Sequence, residues 1–403
     1  NAKREEGDGD PVALLIQIAF ELGDAQMKLK QLWVAAALCA LGSAASAQEV
    51  IKLGFAAPMS GPQAQYGTDM KNGATLAVEE FNATHPKIAG KEVKFQLMAE
   101  DDQADPKTGT AVAQKLVDSG IKGMLGHFNS GTSIPASRVY NQAGIAQIAM
   151  ATAPEYTKQG YKTTFRMMTS DTQQGSVVGT FAVKKLGYKN IAIIDDRTAY
   201  GQGLADEFEK AAKASGATIV RREYTNDKAS DFKAILTQIK SKNPDAVFYG
   251  GAEGQSAPLL KQMRELGIKS TLMSGEMSKT DEFIKLAGPQ AAEGMVASLA
   301  GLPLEQMPGG AGYKQRYEKR FGTPVQTYSP YAYDGAMALM KAMVAAGSSD
   351  PAKYLPILAA TNAQGVTAKH YAYDDKGDLK DGGITVYKVT GGKWAPLESV
   401  GGK

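Results

Sequence analysis

Cysteine is almost missing from this chain. One occurs in 403 residues, Cys39, and it lies in an apolar stretch near the start. A single thiol excludes a disulfide framework and a cysteine-ligated metal knuckle. Histidine is nearly as scarce. The three present, His85, His127 and His370, fall in none of the spacings that hold zinc, so no metal is expected. The chain has no G-x-x-x-x-G-K-[ST], no G-x-G-x-x-G and no G-x-S-x-G. Those absences remove the usual signatures of nucleotide, dinucleotide and α/β-hydrolase chemistry, and no cofactor is indicated. Tyr200-Gly201-Gln202-Gly203 carries two glycines ahead of a helix and nothing more of a dinucleotide fingerprint. A large excess of one charge is also lacking. Lys and Arg total 45, Asp and Glu 42, with no long like-charge block, so nucleic acid is not an expected partner. His127 stands three residues before Ser130, but no acid is placed in the sequence to orient it. A Ser–His nucleophile is therefore not expected, and no catalytic residue is assigned. The acidic turns at Asp101-Asp102, Asp105 and Asp195-Asp196 read as solvated strand ends.

What is present begins with two unlike N-terminal texts. Residues 1–26 read as an upstream extension outside the fold. Met27 then opens a basic segment with Lys28 and Lys30, an apolar run at 32–41, and Ser43-Ala44-Ala45-Ser46-Ala47. This is the layout of a secretory signal peptide, 27–47. The apolar part is far short of the roughly 20 residues that span a bilayer. Cleavage after Ala47 leaves Gln48 as the new N-terminus and sends the chain to the periplasm. Leu38 is bulky where a lipobox has a small residue, so lipidation at Cys39 is not expected. The first 47 residues hold 4 basic and 6 acidic side chains, which leaves 41 and 36 in the remaining 356, a net charge of +5. That length suits two domains.

Strands and helices then alternate. Strands are predicted at 50–56, 92–99, 121–125 and 145–148, with helices at 68–82 and 106–119 and one starting near Ser130. After an extended stretch at 165–169 the pattern restarts. Helices are expected at 173–186, 203–215, 232–241 and 256–266, and strands at 190–194, 218–224, 246–250, 271–273 and 294–299. A Pro/Gly-rich connector, 302–310, leads to helices at 313–321, 331–346 and 352–360. A hairpin closes the chain around Thr390-Gly391-Gly392. Such alternation predicts doubly wound parallel sheets. The chain is organised around 126–140, GHFNSGTSIPASRVY, where a polar turn feeds a helix start. Backbone N–H groups at such a start attract an anion when side chains do not consume them. A second polar turn, 149–154, follows one strand later.

From 51 to about 380 the ordered segments AAPMSGPQAQYG, DDQADP, GHFNSGTSIPAS, ATAPEYTKQGY, RTAYGQGLA, VFYGG, LMSGE and DDKGDLK resemble the periplasmic leucine/isoleucine/valine-binding family. Its members are the substrate-binding components of branched-chain amino-acid ABC transporters. The resemblance implies an α/β fold of two doubly wound Rossmann-like lobes joined by a three-segment hinge, a type I periplasmic binding protein or Venus flytrap. Lobe 1 is then 48–170 plus 300–378. Lobe 2 is 171–299, with 379–403 returning to it as the hairpin. The implied ligand is a free amino acid, branched-chain or related, and the implied partner is a membrane ABC permease. The chain is expected to be a monomer and not an enzyme. Ser130 is implied to receive the ligand carboxylate, and Thr152 both carboxylate and ammonium. Met150 offers its carbonyl to the ammonium, Glu276 its charge, and Tyr200 a hydrogen bond. Tyr66 and Phe128 line the side-chain pocket. The chain departs from the family pattern in places. Ala104 and Asn129 occupy the positions of the family's disulfide, Ala252 replaces an aromatic wall residue, and Gln326 replaces another. Retention of the zwitterion half with change in the side-chain half predicts a broadened or shifted preference. The alternatives are a ligand-binding domain feeding a sensory receptor and a periplasmic α/β hydrolase.

Overall fold

The computed structural model describes residues 48–402 together with Val12 and Leu15. The expected upstream extension, signal peptide and Cys39 lie outside the described residues.

The first sheet takes strands β1 (Glu49–Ala57), β2 (Lys87–Ile88), β3 (Lys91–Asp101), β4 (Gly123–Gly126), β5 (Gln147–Ala149) and β6 (Thr164–Arg166), in the order β2-β3-β1-β4-β5-β6. β1, β4, β5 and β6 run parallel, with Leu53 opposite Gly123, Met124 opposite Gln147 and Ile148 opposite Phe165. The second sheet is built from β7 (Asn190–Asp195), β8 (Thr218–Tyr224), β9 (Ala246–Gly250), β10 (Thr271–Ser274) and β11 (Val296–Leu299), again parallel. A small pair, β12 (Asn362–Ala363) and β13 (Tyr371–Ala372), stands apart. The final hairpin, β14 (Ile384–Thr390) and β15 (Lys393–Val400), adds to the second sheet with β14 antiparallel to β11, so the order there is β15-β14-β11-β10-β9-β7-β8.

Helices cover these sheets on both faces, so the central strands must be apolar along their whole length rather than alternating. AVFYG of β9 is buried throughout, and so is NIAIID of β7 after Asn190. Phe208 on the helix Ala199–Ala214 stacks on Phe248 of β9 with ring centres 3.9 Å apart. This is the fold class expected: two Rossmann-like lobes. The chain crosses between them three times, after β6, after β11 and before β14.

Several helices begin earlier than periodicity suggests. Ala64–Asn82 starts four residues before the expected start at 68, Ala199–Ala214 takes in Tyr200, and Glu253–Glu265 starts directly after Ala252. Three further helices, Glu155–Lys158, Asp281–Ala287 and Pro289–Ala292, were not expected.

The acidic turns are not all solvated. Asp102 is fully buried, and its Oδ2 lies 2.7 Å from His127 Nδ1. Asp195 is buried against Arg222 at 2.7 Å. Asp196 accepts from the Thr198 backbone N–H and hydroxyl, and burial pushes its carboxyl up to about 6. Asp105 alone is exposed, as the N-cap of Pro106–Asp118.

Asp69 positions one wall of the cleft. It is buried on the helix Ala64–Asn82 and accepts from the backbone N–H of Tyr328 and Ser329 at 2.8 Å each, from Gln326 N–H at 3.2 Å and from the Tyr317 hydroxyl at 3.1 Å. It thereby caps the helix Ser329–Ala345 from a neighbouring helix. Asp69→Ala is expected to destabilise the ligand-free protein by on the order of 3 kcal/mol, since each buried donor left unpaired costs about 1–3 kcal/mol. A lowered urea midpoint checks this. An unchanged midpoint would mean water replaces the carboxylate without loss.

Candidate functional site

In parallel α/β sheets, loops after the carboxyl ends of strands are free to hold a ligand. The residues singled out from sequence emerge at such ends. Phe128, Asn129 and Ser130 follow β4, and Met150 and Thr152 follow β5. Tyr200 lies beyond β7, Ala252 beyond β9 and Glu276 beyond β10.

On the first lobe Ser130 is the first residue of the helix Ser130–Gln142, with Asn129 at its N-cap and no side-chain cap. The Asn129 carbonyl accepts from Thr132 and Ser133 N–H. Ser130 and Gly131 N–H precede that first bond and remain for an anion. The Ser130 hydroxyl oxygen accepts from Ala153 N–H at 3.2 Å, which ties this helix start to the turn carrying Thr152. Met150 N–H donates to the His127 carbonyl at 3.1 Å and fixes the same turn from its other side.

Below that turn lies Arg166, fully buried at the end of β6. It donates to Asp378 at 2.7 Å, to the Ala151 and Ala153 carbonyls that flank Thr152, and to the Thr157 hydroxyl. Asp378 belongs to the late DDKGDLK segment. Gly377 brings that segment onto β6: it has φ +92°, and a side chain there would meet the Thr164 carbonyl at 2.0 Å. Glycine is required by both the conformation and the approach.

The second lobe supplies the acid. Glu276 is 4% exposed, and its Oε2 accepts from Gln174 at 2.6 Å and from the Tyr200 hydroxyl at 2.9 Å. Tyr200 reaches it because Gly201 and Gly250 let the helix touch β9; a side chain on Gly250 would lie 2.1 Å from the Gly201 carbonyl. Beside Glu276 is Asp171, fully buried in the first turn of Asp171–Lys184. Gln174 also reaches Asp171, at 3.3 Å, and is itself held by Ser298. Thr152 lies against both carboxyls. Burial, and after it the Glu276 charge, drives the Asp171 carboxyl well above the ordinary range; burial raises Glu276 too. Two acids held together in a dry cleft are costly alone and are relieved by a cation between them.

Aromatic rings form the adjoining pocket. Tyr66 stacks on Phe128 at 5.1 Å, and Tyr328 meets Phe128 edge-on at 4.7 Å and Tyr66 at 5.5 Å. Tyr328 is thus the third wall. Gln326, expected in the pocket, is exposed and lines an outer groove with Gln65, Lys279 and Glu282 that reaches Tyr66. The loop before Ser329–Ala345 turns between the two residues, so only the second faces inward. Asn129 donates to Gln63 at 2.7 Å, and Ala252 is buried at the N-cap of Glu253–Glu265.

Asp171, Gln174, Arg166, Glu253 and Tyr328 were not singled out from sequence. Asp171 follows Ser170 at a helix start and reads there as an ordinary acid in a first turn. Only its burial beside Glu276 marks it.

The absence of an orienting acid for His127 is overturned by Asp102. That pair still builds no nucleophile. His127 Nε2 lies 3.1 Å from the Tyr140 hydroxyl, so both ring nitrogens are engaged and neither contacts Ser130. Among the described residues no group of three or more His, Cys, Asp or Glu could hold a metal ion.

Comparison with known proteins agrees with this fold. The chain is 35% identical over 354 residues to a Leu/Ile/Val-binding protein homolog of Brucella suis, covering 88% of this chain and 93% of the relative. It is 33% identical to the leucine-, isoleucine-, valine-, threonine- and alanine-binding protein of Pseudomonas aeruginosa, covering 90% and 95%. Among solved structures it resembles a branched-chain amino acid transporter substrate binding protein of Streptococcus pneumoniae in complex with isoleucine. There the TM-score is 0.77 at 25% identity, over 88% of this chain and all of the other. Residues 50–393 match the model of the periplasmic binding protein family, and the chain belongs to that family.

Proposed function

We propose that this chain captures a free amino acid between its two lobes and delivers it to an ABC permease in the membrane. One observation carries the reading. The Glu276–Asp171 acid pair with Tyr200 adjoins Thr152, whose turn is bonded to the helix start at Ser130. A zwitterion needs acceptors and negative charge at its ammonium and N–H or O–H donors at its carboxylate, and charge-assisted bonds of both kinds strengthen in a closed cleft. Ser130 takes the carboxylate, Thr152 serves both ends, and Glu276 with the Met150 carbonyl holds the ammonium. Tyr66, Phe128, Asn129, Ala252 and Tyr328 surround the side chain. Lobe 1 comprises 48–170 and 300–378, and lobe 2 comprises 171–299 and 379–403. The protein works as a monomer, by binding without turnover.

The test is mass spectrometry of ligand released from denatured protein, followed by a thermal-shift panel of amino acids. A true ligand at a hundred times its Kd adds about 2.7 kcal/mol of stability. A panel with no shift, or steady consumption of a candidate, would defeat the reading. The periplasm is the site of action, reached by signal-peptide cleavage after Ala47. Intact mass of the exported protein should begin at Gln48; retention of Met27 or a lipid on Cys39 would refute that processing.

A further inference from the structure

The side-chain half of the cleft holds a third buried acid that zwitterion binding does not use. Glu253 opens the helix Glu253–Glu265 of the second lobe and is only 4% exposed. Its Oε1 accepts from Gln65 Nε2 at 3.0 Å and its Oε2 from the Tyr66 hydroxyl, both on the first lobe. It therefore touches the aromatic wall directly, away from the Gln174 and Tyr200 donors that hold Glu276. Its neighbour on the chain, Ala252, contributes only a methyl group.

Tyr328 supplies an independent observation. It is 2% exposed, and its hydroxyl is buried with no hydrogen-bond partner. The charges of Glu276 and Glu253 both act on that hydroxyl. The Tyr328 ring meets that of Tyr66, whose hydroxyl bonds Glu253, at 5.5 Å. Asn129, next to Phe128, also leaves its Oδ1 buried and unpaired. An aliphatic ligand side chain leaves the Tyr328 hydroxyl and the Asn129 amide oxygen without a partner. A group with an N–H or O–H satisfies the phenol oxygen, the amide oxygen or the carboxylate.

We propose that Glu253 and the Tyr328 hydroxyl form a polar subsite for the far end of the ligand. The bound amino acids are then those whose side chains end in a hydrogen-bond donor. The inference rests on the amino-acid reading above. In its terms Glu253 is a specificity determinant and the α-amino and α-carboxyl contacts are unaltered. Burial pushes the Glu253 carboxyl up to about 7, against the Tyr66 and Gln65 hydrogen bonds that lower it. A donor from the ligand adds to those bonds, and a cationic one also supplies opposite charge.

Isosteric pairs isolate the donor from size. Titration calorimetry compares threonine with valine and asparagine with leucine, and adds lysine as the cationic case. Wild type should prefer the donor-bearing member of a pair by about tenfold or more, because unmet buried polar groups discriminate harder than a methylene. Glu253→Met should erase or reverse that preference. Tyr328→Phe, which keeps the ring and removes the orphan hydroxyl, should weaken donor ligands and spare aliphatic ones. Melting curves and circular dichroism confirm that each variant is folded. If leucine and valine bind as tightly as their isosteres and both variants keep that ranking, the subsite is refuted while amino-acid binding stands. If no amino acid binds wild type, the broader reading falls with it.

Discussion

Glu276→Gln is expected to lower amino-acid affinity by roughly 2–5 kcal/mol, about 30- to 5,000-fold, because it strips the counter-charge from a buried ammonium. The substitution is nearly isosteric. Its remaining carbonyl oxygen still accepts from Gln174 and from Tyr200, which both bond to a single oxygen of Glu276. Packing is therefore retained and charge alone is lost. Asp171 remains beside the site, so the loss lies toward the lower end for Glu276→Gln and grows when Asp171→Asn is added. The ligand-free protein should respond in the opposite sense. Two carboxyls raised by burial, Asp171 also by the Glu276 charge, burden the closed cleft, and a neutral amide relieves part of that burden. The variant should thus be as stable as wild type or slightly more so without ligand, while gaining less from it. Calorimetry for affinity and urea midpoints with and without ligand separate the two effects. A parallel drop in both would make Glu276 a structural residue, and unchanged affinity would remove it from the site.

The fold was legible because its central strands are buried on two faces and read as apolar runs. β7 and β9 are recognisable on that ground alone. The starts of the site-bearing helices were not legible, and for one shared reason. The first turns AQYG, AYGQG and EGQS carry no apolar stripe. They need polar groups for a ligand and glycine for close approach, and both features imitate a loop. Tyr66, Tyr200 and Glu253 all sit in such turns. The Asp102–His127 pair was hidden differently. Its members are 25 residues apart and meet because β3 and β4, the strands they follow, flank β1 in the sheet. Tyr328 was missed by a two-residue displacement in a loop where no periodicity fixes which side chain turns inward. The resemblance named Ser130, Thr152 and Glu276, but an acid such as Asp171 becomes visible only when burial brings it against another.

Arg166→Met is expected to cost the ligand-free protein about 3–5 kcal/mol, the scale for removing one partner of a buried ion pair. Arg166 is fully buried, whereas Asp378 is about one quarter exposed, with 23% of its side chain accessible. Water therefore reaches the acid more readily than the carbonyls. The larger share of the loss comes from the Ala151 and Ala153 carbonyls, which lose their guanidinium donors inside the protein. Those carbonyls flank Thr152, so affinity should fall together with stability as the turn loosens. Arg166→Lys separates the contributions. An ammonium keeps the charge opposite Asp378 but lacks the planar fork that serves several acceptors at once. It should recover part of the urea midpoint and less of the affinity. If Arg166→Lys matches wild type in both, the charge alone matters and the fork does not hold the turn. If Arg166→Met loses stability yet binds as wild type, the Thr152 turn is held by Ser130 and His127 without help from beneath.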